Sequence, residues 1–272
     1  MKRVAPSVLL NGSLVVVGLL TLAPLAWMVS ASLMPAGEAN TSPPPLLPSR
    51  VTFEHYADLF TRLDLGRYFL NSAFISVTTT LLSVMINGMA GYAFAKLRFR
   101  GRERTFQLLL LALVVPTQVG MLPLFLELRA MGLVNTPLGV MIPYLSSVFG
   151  IFLVRQFALG IPDDLLDAAR IDGASELRIF TSIVLPVLRP VLVTLAAFSF
   201  LSAWNDFLWP LIVLSDESRF TLPVALASLS GEHILDTELM MAGAVLTVLP
   251  VVAVFLALQR HYTEGILSGS VK

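Results

Sequence analysis

Apolar residues dominate six stretches of the chain, at about 8–29, 69–95, 105–126, 137–157, 191–214 and 239–259, with polar segments between them. Helices of roughly 20 apolar residues cross a hydrocarbon core of about 30 Å. The pattern predicts an all-α integral membrane protein with six transmembrane helices in a single domain, 1–272. For the first run a cleaved signal peptide is the alternative, since Lys2 and Arg3 precede it and Ala31-Ser32 follow it. Its apolar core exceeds the roughly 7–15 residues such a peptide uses, which favours a retained span, kinked at Pro24.

Between the fourth and fifth runs the pattern changes. Residues 161–190 carry five acidic side chains, Asp163, Asp164, Asp167, Asp172 and Glu176, too polar to span lipid and too regular for a loose loop. Pro162 followed by two aspartates sets a fixed φ and then negative charge where a helix start favours both, which predicts a helix running to about Ile171. Asp172-Gly173 supplies the stop, and Ser175 caps a second helix that continues to Pro186. A cytoplasmic helix-turn-helix is expected. Asp167-Ala168-Ala169 sets two methyl-sized side chains beside a carboxylate, and Gly173 adds no side chain, so a partner can approach the backbone closely. An amphipathic helix lying on the membrane is the competing reading.

Other departures from uniform apolarity are local. Residues 31–68 are polar and proline-rich, with Pro43-Pro44-Pro45 and Pro48 enforcing extended backbone before an amphipathic piece around Phe53–Phe60, an outer loop with an interfacial helix. In the second run Ser83, Asn87, Gly91 and Ala95 recur every four residues, a stripe that lets another helix pack closely. Pro116 and Pro123 in the third run predict irregular backbone that must be shielded by protein or line a cavity.

Composition agrees, with 56% hydrophobic and 13% charged residues, against about 25% charged in an ordinary soluble domain. Net charge is zero, so the distribution of charge is what informs. Five cations fall between Lys96 and Arg104, a segment that belongs in the cytoplasm. With both termini inside, only Arg50, Arg62, Arg67, Arg129 and Arg219 fall outside, leaving thirteen of the eighteen Lys and Arg residues on the inner side. Cysteine is absent, which excludes disulfides and thiolate chemistry.

Candidate chemistry is sparse. His55, His233 and His261 fall in expected loops or the tail without a second ligand at metal spacing, and read as solvated surface residues. No Lys follows a glycine-rich loop, so this chain holds no ATP site, and neither a metal nor a catalytic residue is assigned. Polar residues within the spans gather at 203–210 in the fifth, Ala-Trp-Asn-Asp-Phe-Leu-Trp-Pro, and at Thr117-Gln118 in the third. Asp206 is the one carboxylate deep within an expected span, where an ionisable group faces protein or water. Asn205, Trp209 and Gln118 are expected to face a translocation path, with Asp206 turned to a neighbouring helix. Helix-helix packing is the alternative role for each of them.

The 161–190 stretch resembles the EAA loop of binding-protein-dependent ABC importer permeases, in Asp167-Ala168-Ala169, Asp172-Gly173-Ala174, then Phe180, Ile183 and Leu185-Pro186. Asp167 stands where that family usually has Glu. The Trp-Asn-Asp run, Pro116-Thr117-Gln118 and the Gly265–Lys272 tail resemble the sugar-importing, maltose-type branch. The resemblance implies that Asp167, Ala168, Ala169, Asp172, Gly173 and Ala174 couple this subunit to an ATPase. It further implies a second homologous permease subunit, two cytoplasmic ATPase subunits carrying ATP and Mg, an extracytoplasmic solute-binding protein and an inner-membrane location among lipids. No nucleic acid is expected. Glycerol phosphate, a polyol or another solute is an alternative cargo, although no Lys or Arg lies deep in an expected span. An ion-coupled secondary transporter is a further alternative, for which midplane ion-binding groups and repeats are not evident.

Overall fold

Every described element is helical, the solution that satisfies backbone polar groups within a single segment in lipid. The computed structural model describes residues 4–232 and 236–270. His233, Lys2, Arg3 and the Val271-Lys272 end lie outside the described residues, as does the His261 side chain. The elements are α1 (Val4–Ala31), α2 (Glu54–Thr61), α3 (Leu65–Lys96), α4 (Arg102–Leu111), α5 (Thr117–Ala130), α6 (Pro137–Leu145) and α7 (Val148–Leu159). They continue with α8 (Asp163–Ile171), α9 (Glu176–Ile179), α10 (Leu185–Trp204), α11 (Leu208–Val213), α12 (Leu222–Glu232) and α13 (Thr237–Ser270).

Four stretches, Leu10–Ala31, Leu65–Lys96, Glu176–Trp204 and Thr237–Leu258, are long and apolar enough to cross a membrane. The expected third and fourth spans are each two helices. Arg102–Val114 and Thr117–Ala130 meet at 106°. Proline explains the break: Val115 precedes Pro116 and is held extended (φ −83°, ψ 120°), and Pro116 has no N–H to continue the ladder. The bend between α6 and α7 is 41°, at Ser146-Ser147, where Ser147 caps α7 by accepting from Gly150 N. The fifth expected span is likewise interrupted, at Asn205–Phe207 between α10 and α11.

One compact body comprises the residues up to Gly66 with Ala225–Pro250. There α1 leaves most of its apolar side chains exposed, while the segment after it folds back on the helix end. Trp27 Nε1 donates to Pro45 O (3.0 Å), Ser30 Oγ to Leu46 O (2.6 Å) and Thr52 N to Leu33 O (2.9 Å). Ala31, Met34 and Ala39 form a small core with Trp27 and Met241. His55, expected to be solvated, is buried: its Nε2 contacts Met34 O at 2.9 Å and its Nδ1 lies 4.0 Å from Asp236. The amphipathic pattern of α2 turns His55 and Leu59 inward, four residues apart on one face. Glu238 is fully buried in the first turn of α13 and accepts the Ala39 N–H at 2.7 Å.

The other body runs from Arg67 to Val224 and resumes at Val251. Here α3 packs against α7 along the expected small-residue stripe. A Cβ on Gly91 would lie 2.6 Å from the Val154 side chain and 2.9 Å from Arg155 N, and one on Gly150 2.9 Å from Leu195. Buried Asn87 donates to the Ser83 carbonyl and hydroxyl and accepts Ser147 N–H at 2.9 Å, satisfying a donor freed by the break before α7.

Candidate functional site

The 161–190 stretch folds as the sequence expects through its first helix and turn. With Gly173 at φ +78°, Gly173 N donates to Arg170 O and Ala174 N to Ala169 O, both at 3.0 Å. This pair of bonds is the Schellman closure of a helix C-terminus, and it needs the left-handed conformation that glycine takes without strain. Ser175 then caps α9, accepting Arg178 N–H at 3.3 Å.

Beyond α9 the expectation of a stop at Pro186 fails. The chain stays helical from Glu176 to Trp204 through a π turn at Phe180–Val184, in which Leu185 N–H bonds to Phe180 O, five residues back. A proline in a helix interior clashes with the carbonyl four residues earlier and lacks a donor. The wider turn lies immediately ahead of Pro186, so the helix passes into the membrane unbroken.

The hairpin of α8 and α9 is fastened to the last turns of α3. Lys96 Nζ donates to Ile161 O (2.6 Å) and to Asp163 Oδ1 (2.7 Å). Arg170 joins both helices, bonding Asp167 at 2.7 Å and Glu176 at 2.7 and 3.3 Å, and Tyr92 OH donates to Glu176 at 2.9 Å. Lys96 holds the Asp163 carboxyl below the usual carboxylate range, by its hydrogen bond first and its charge second. Leu166, Ile179, Phe180, Val184 and Leu188 fill one core with Tyr92, Val154 and Ala158, and Ala169 and Ala174 pack against it.

The outward surface therefore differs from the expected one. Ala169 and Ala174 turn inward, and Asp167 is already paired with Arg170. Ala168, Asp172 and Gly173 are exposed, and a Cβ on Gly173 would meet nothing within 4 Å. Ile171 is 87% exposed and Leu177 66%, two large apolar side chains at the tip of a hairpin. Sequence reasoning missed Ile171; the signal was its position, five residues beyond the inward Leu166 and so off the buried face.

The polar run of the fifth span is divided by the helix break. Asn205 closes α10 and is exposed, its amide donating to Leu201 O. Gln118 is exposed in the first turn of α5, with its amide oxygen 3.4 Å from Thr117 Oγ1. Trp209, expected on the path beside Asn205, is 2% exposed and donates its Nε1–H to Gly139 O at 3.1 Å. The four-residue spacing does not hold because the chain leaves the helix between them. Asp206 lies in that break, accepting from Tyr144 OH at 2.7 Å and from Trp209 N at 3.4 Å. Its partner Tyr144, from α6, was not singled out in the sequence.

The chain is 39% identical over 252 residues to the arabinooligosaccharides transport system permease protein AraQ of Halalkalibacterium halodurans, covering 92% of this chain and 90% of that one. It is 34% identical to the lactose transport system permease protein LacG of Rhizobium radiobacter, covering 100% and 98%. Against the trehalose transport system permease protein SugB of Mycobacterium tuberculosis it is also 34% identical, covering 92% of each chain. In fold it matches a chain of a bacterial ABC transporter involved in import of the acidic polysaccharide alginate, with TM-score 0.84 and 24% identity over 96% of this chain and 98% of that one. Residues 87–267 match the family described as the binding-protein-dependent transport system inner membrane component, and the chain belongs to that family.

Proposed function

We propose that this chain is the translocating subunit of an ATP-driven importer that carries a disaccharide or short oligosaccharide across the cytoplasmic membrane. The names of its relatives, which specify arabinooligosaccharides, lactose and trehalose, support a saccharide cargo. In this reading the chain shares its pore with a second homologous permease, two cytoplasmic ATPase subunits hold ATP and Mg, and an extracytoplasmic binding protein delivers the sugar.

The observation that carries the coupling role is the hairpin tip. Ile171 and Leu177 are exposed beside Ala168 and Gly173, on a hairpin tied to α3 and continuous in helix with α10. An apolar anchor ringed by small residues suits a cleft on a partner, and a continuous rod passes displacement on as a rigid-body change. Asn205 and Gln118, exposed polar groups next to helix breaks, are assigned to the path, because discontinuous backbone in a membrane lines cavities. Trp209 is assigned to packing.

Ile171→Asp and Ala168→Arg in the assembled transporter test the coupling. Both are expected to insert normally and to lose sugar uptake and its coupling to ATP hydrolysis. Normal uptake by both would overturn the assignment of this surface. Uptake of labelled arabinose oligomers, lactose and trehalose, set against glycerol phosphate and a polyol, tests the cargo. A preference for either of the last two would replace the sugar reading.

A further inference from the structure

The cationic segment after α3 forms one wall of a cleft of about 1680 Å³, whose other wall is the hairpin. Its five cations divide sharply. Lys96 is engaged as described above, and Arg102 Nη1 donates to Leu97 O at 3.1 Å, with Ala95 O at 3.5 Å. Arg98, Arg100 and Arg104 are exposed and make neither a hydrogen bond nor an ion pair among the described residues. The acids nearby are already engaged: Glu103 with Arg155, Asp163 with Lys96, Asp167 and Glu176 with Arg170. The cleft thus carries excess positive charge from Arg98, Arg100 and Arg104, with Arg98 offset in part by the Asp163 carboxylate.

A second feature is apolar. Arg104, Leu108 and Leu111 stand at i, i+4 and i+7, one face of α4. Leu108 and Leu111 are 67% and 63% exposed. Phe99, 45% exposed, sits between Arg98 and Arg100. A cation heading an apolar stripe matches a molecule that has an anionic head and a hydrocarbon tail.

We propose that Arg98, Arg100 and Arg104 bind the phosphodiester headgroup of an anionic glycerophospholipid, whose acyl chains run along Leu108 and Leu111. Guanidinium forks match phosphate oxygens in pairs, which an ammonium does not reproduce. The stripe favours lipid over an acidic surface of a soluble subunit, because a soluble partner has no use for Leu108 and Leu111 below the headgroup level. The proposal rests on α4 being in the membrane and is independent of cargo and coupling.

The test uses the assembled transporter in nanodiscs of equimolar phosphatidylcholine and phosphatidylglycerol, with retained lipid measured after delipidation. The parent is expected to retain phosphatidylglycerol selectively. Replacing the three arginines by Gln should reduce that retention by on the order of tenfold or more, while replacing them by Lys should restore part of it. Leu108→Asn should weaken retention with all three cations in place. Equal retention by the parent and the Gln variant overturns the proposal, and if the Gln variant does not assemble, unchanged retention by Leu108→Asn does so. Displacement by inorganic phosphate with no effect of Leu108→Asn identifies a free-anion site and overturns the lipid. Loss of the ATPase subunit from the Gln variant, with lipid retention unchanged, identifies a protein contact and overturns it too.

Discussion

Single residues decide how closely the helices approach. At Gly91 the neighbouring atoms of α7 leave no room for a methyl group, so Gly91→Leu must separate α3 from α7. Overpacking of this kind costs about 1–3 kcal/mol, and a lowered unfolding temperature in detergent with reduced assembly is the expected result. Trp209→Phe should cost a similar amount, about 1–3 kcal/mol, because it leaves the buried Gly139 carbonyl without its donor and Pro143, four residues on, has no N–H to replace it, with cargo preference unchanged. A changed preference would return Trp209 to the path. The stripe Ser83, Asn87, Gly91 and Ala95 was legible in sequence because helical periodicity alone places those residues on one face. Burial of His55 was not legible, since it depends on the segment after α1 folding back to offer Met34 O, a contact 21 positions away in the chain.

At the scale of elements, local signals were read correctly and continuity was not. Pro162, Gly173 and Ser175 mark the hairpin because caps and left-handed turns are properties of a few adjacent residues. The inward turn of Ala169 and the outward turn of Ile171 depend on which side of α8 meets α9 and the core beneath it, so Ala168 and Ala169 looked alike in sequence. They are expected to behave differently. Ala169→Arg should destabilise the protein by forcing a guanidinium into the core, whereas Ala168→Arg should leave its unfolding temperature unchanged. Lys96→Gln should release the hairpin from α3 and lower that temperature. The Lys96–Asp163 bond also has a pH signature: the carboxyl is held low, so its stabilisation is present above the unfolded carboxylate value of about 3.9 and is lost as pH falls through the lower folded value. The gap in unfolding temperature between Lys96→Gln and the parent should therefore narrow in acid, leaving the part that the Lys96 bond to Ile161 O contributes.

For the whole molecule, the six apolar runs correspond to four continuous stretches and two bent pairs long and apolar enough to cross a membrane, and the breaks in three of the runs required the folded chain. Hydropathy counts apolar residues whether or not they share an axis; the 106° bend at Pro116 arises from two backbone restrictions that no average over a window registers. Orientation is tested by labelling. The chain has no cysteine, so Arg100→Cys and Leu47→Cys, both exposed, give signals without background. An impermeant thiol reagent should reach position 100 only from the cytoplasmic side and position 47 only from outside. The reverse pattern would invert the topology.

The π turn at Phe180–Val184 also makes the chain sensitive to the number of residues it holds. A turn closed over five residues contains one more than a regular α-turn, so it sets the angular phase between the hairpin and the membrane rod. Deleting Ser182, which is exposed, would remove the extra residue and turn everything before it by about 100° relative to α10, while setting the Pro186 ring against a carbonyl of a regular turn. Ile179, now fully buried, would swing out of the core, and the hairpin tip would point elsewhere. Ser182→Ala keeps the count and is expected to transport normally, while the deletion should insert and fail to transport. What that position contributes is an angle, set by the presence of a residue rather than by its chemistry.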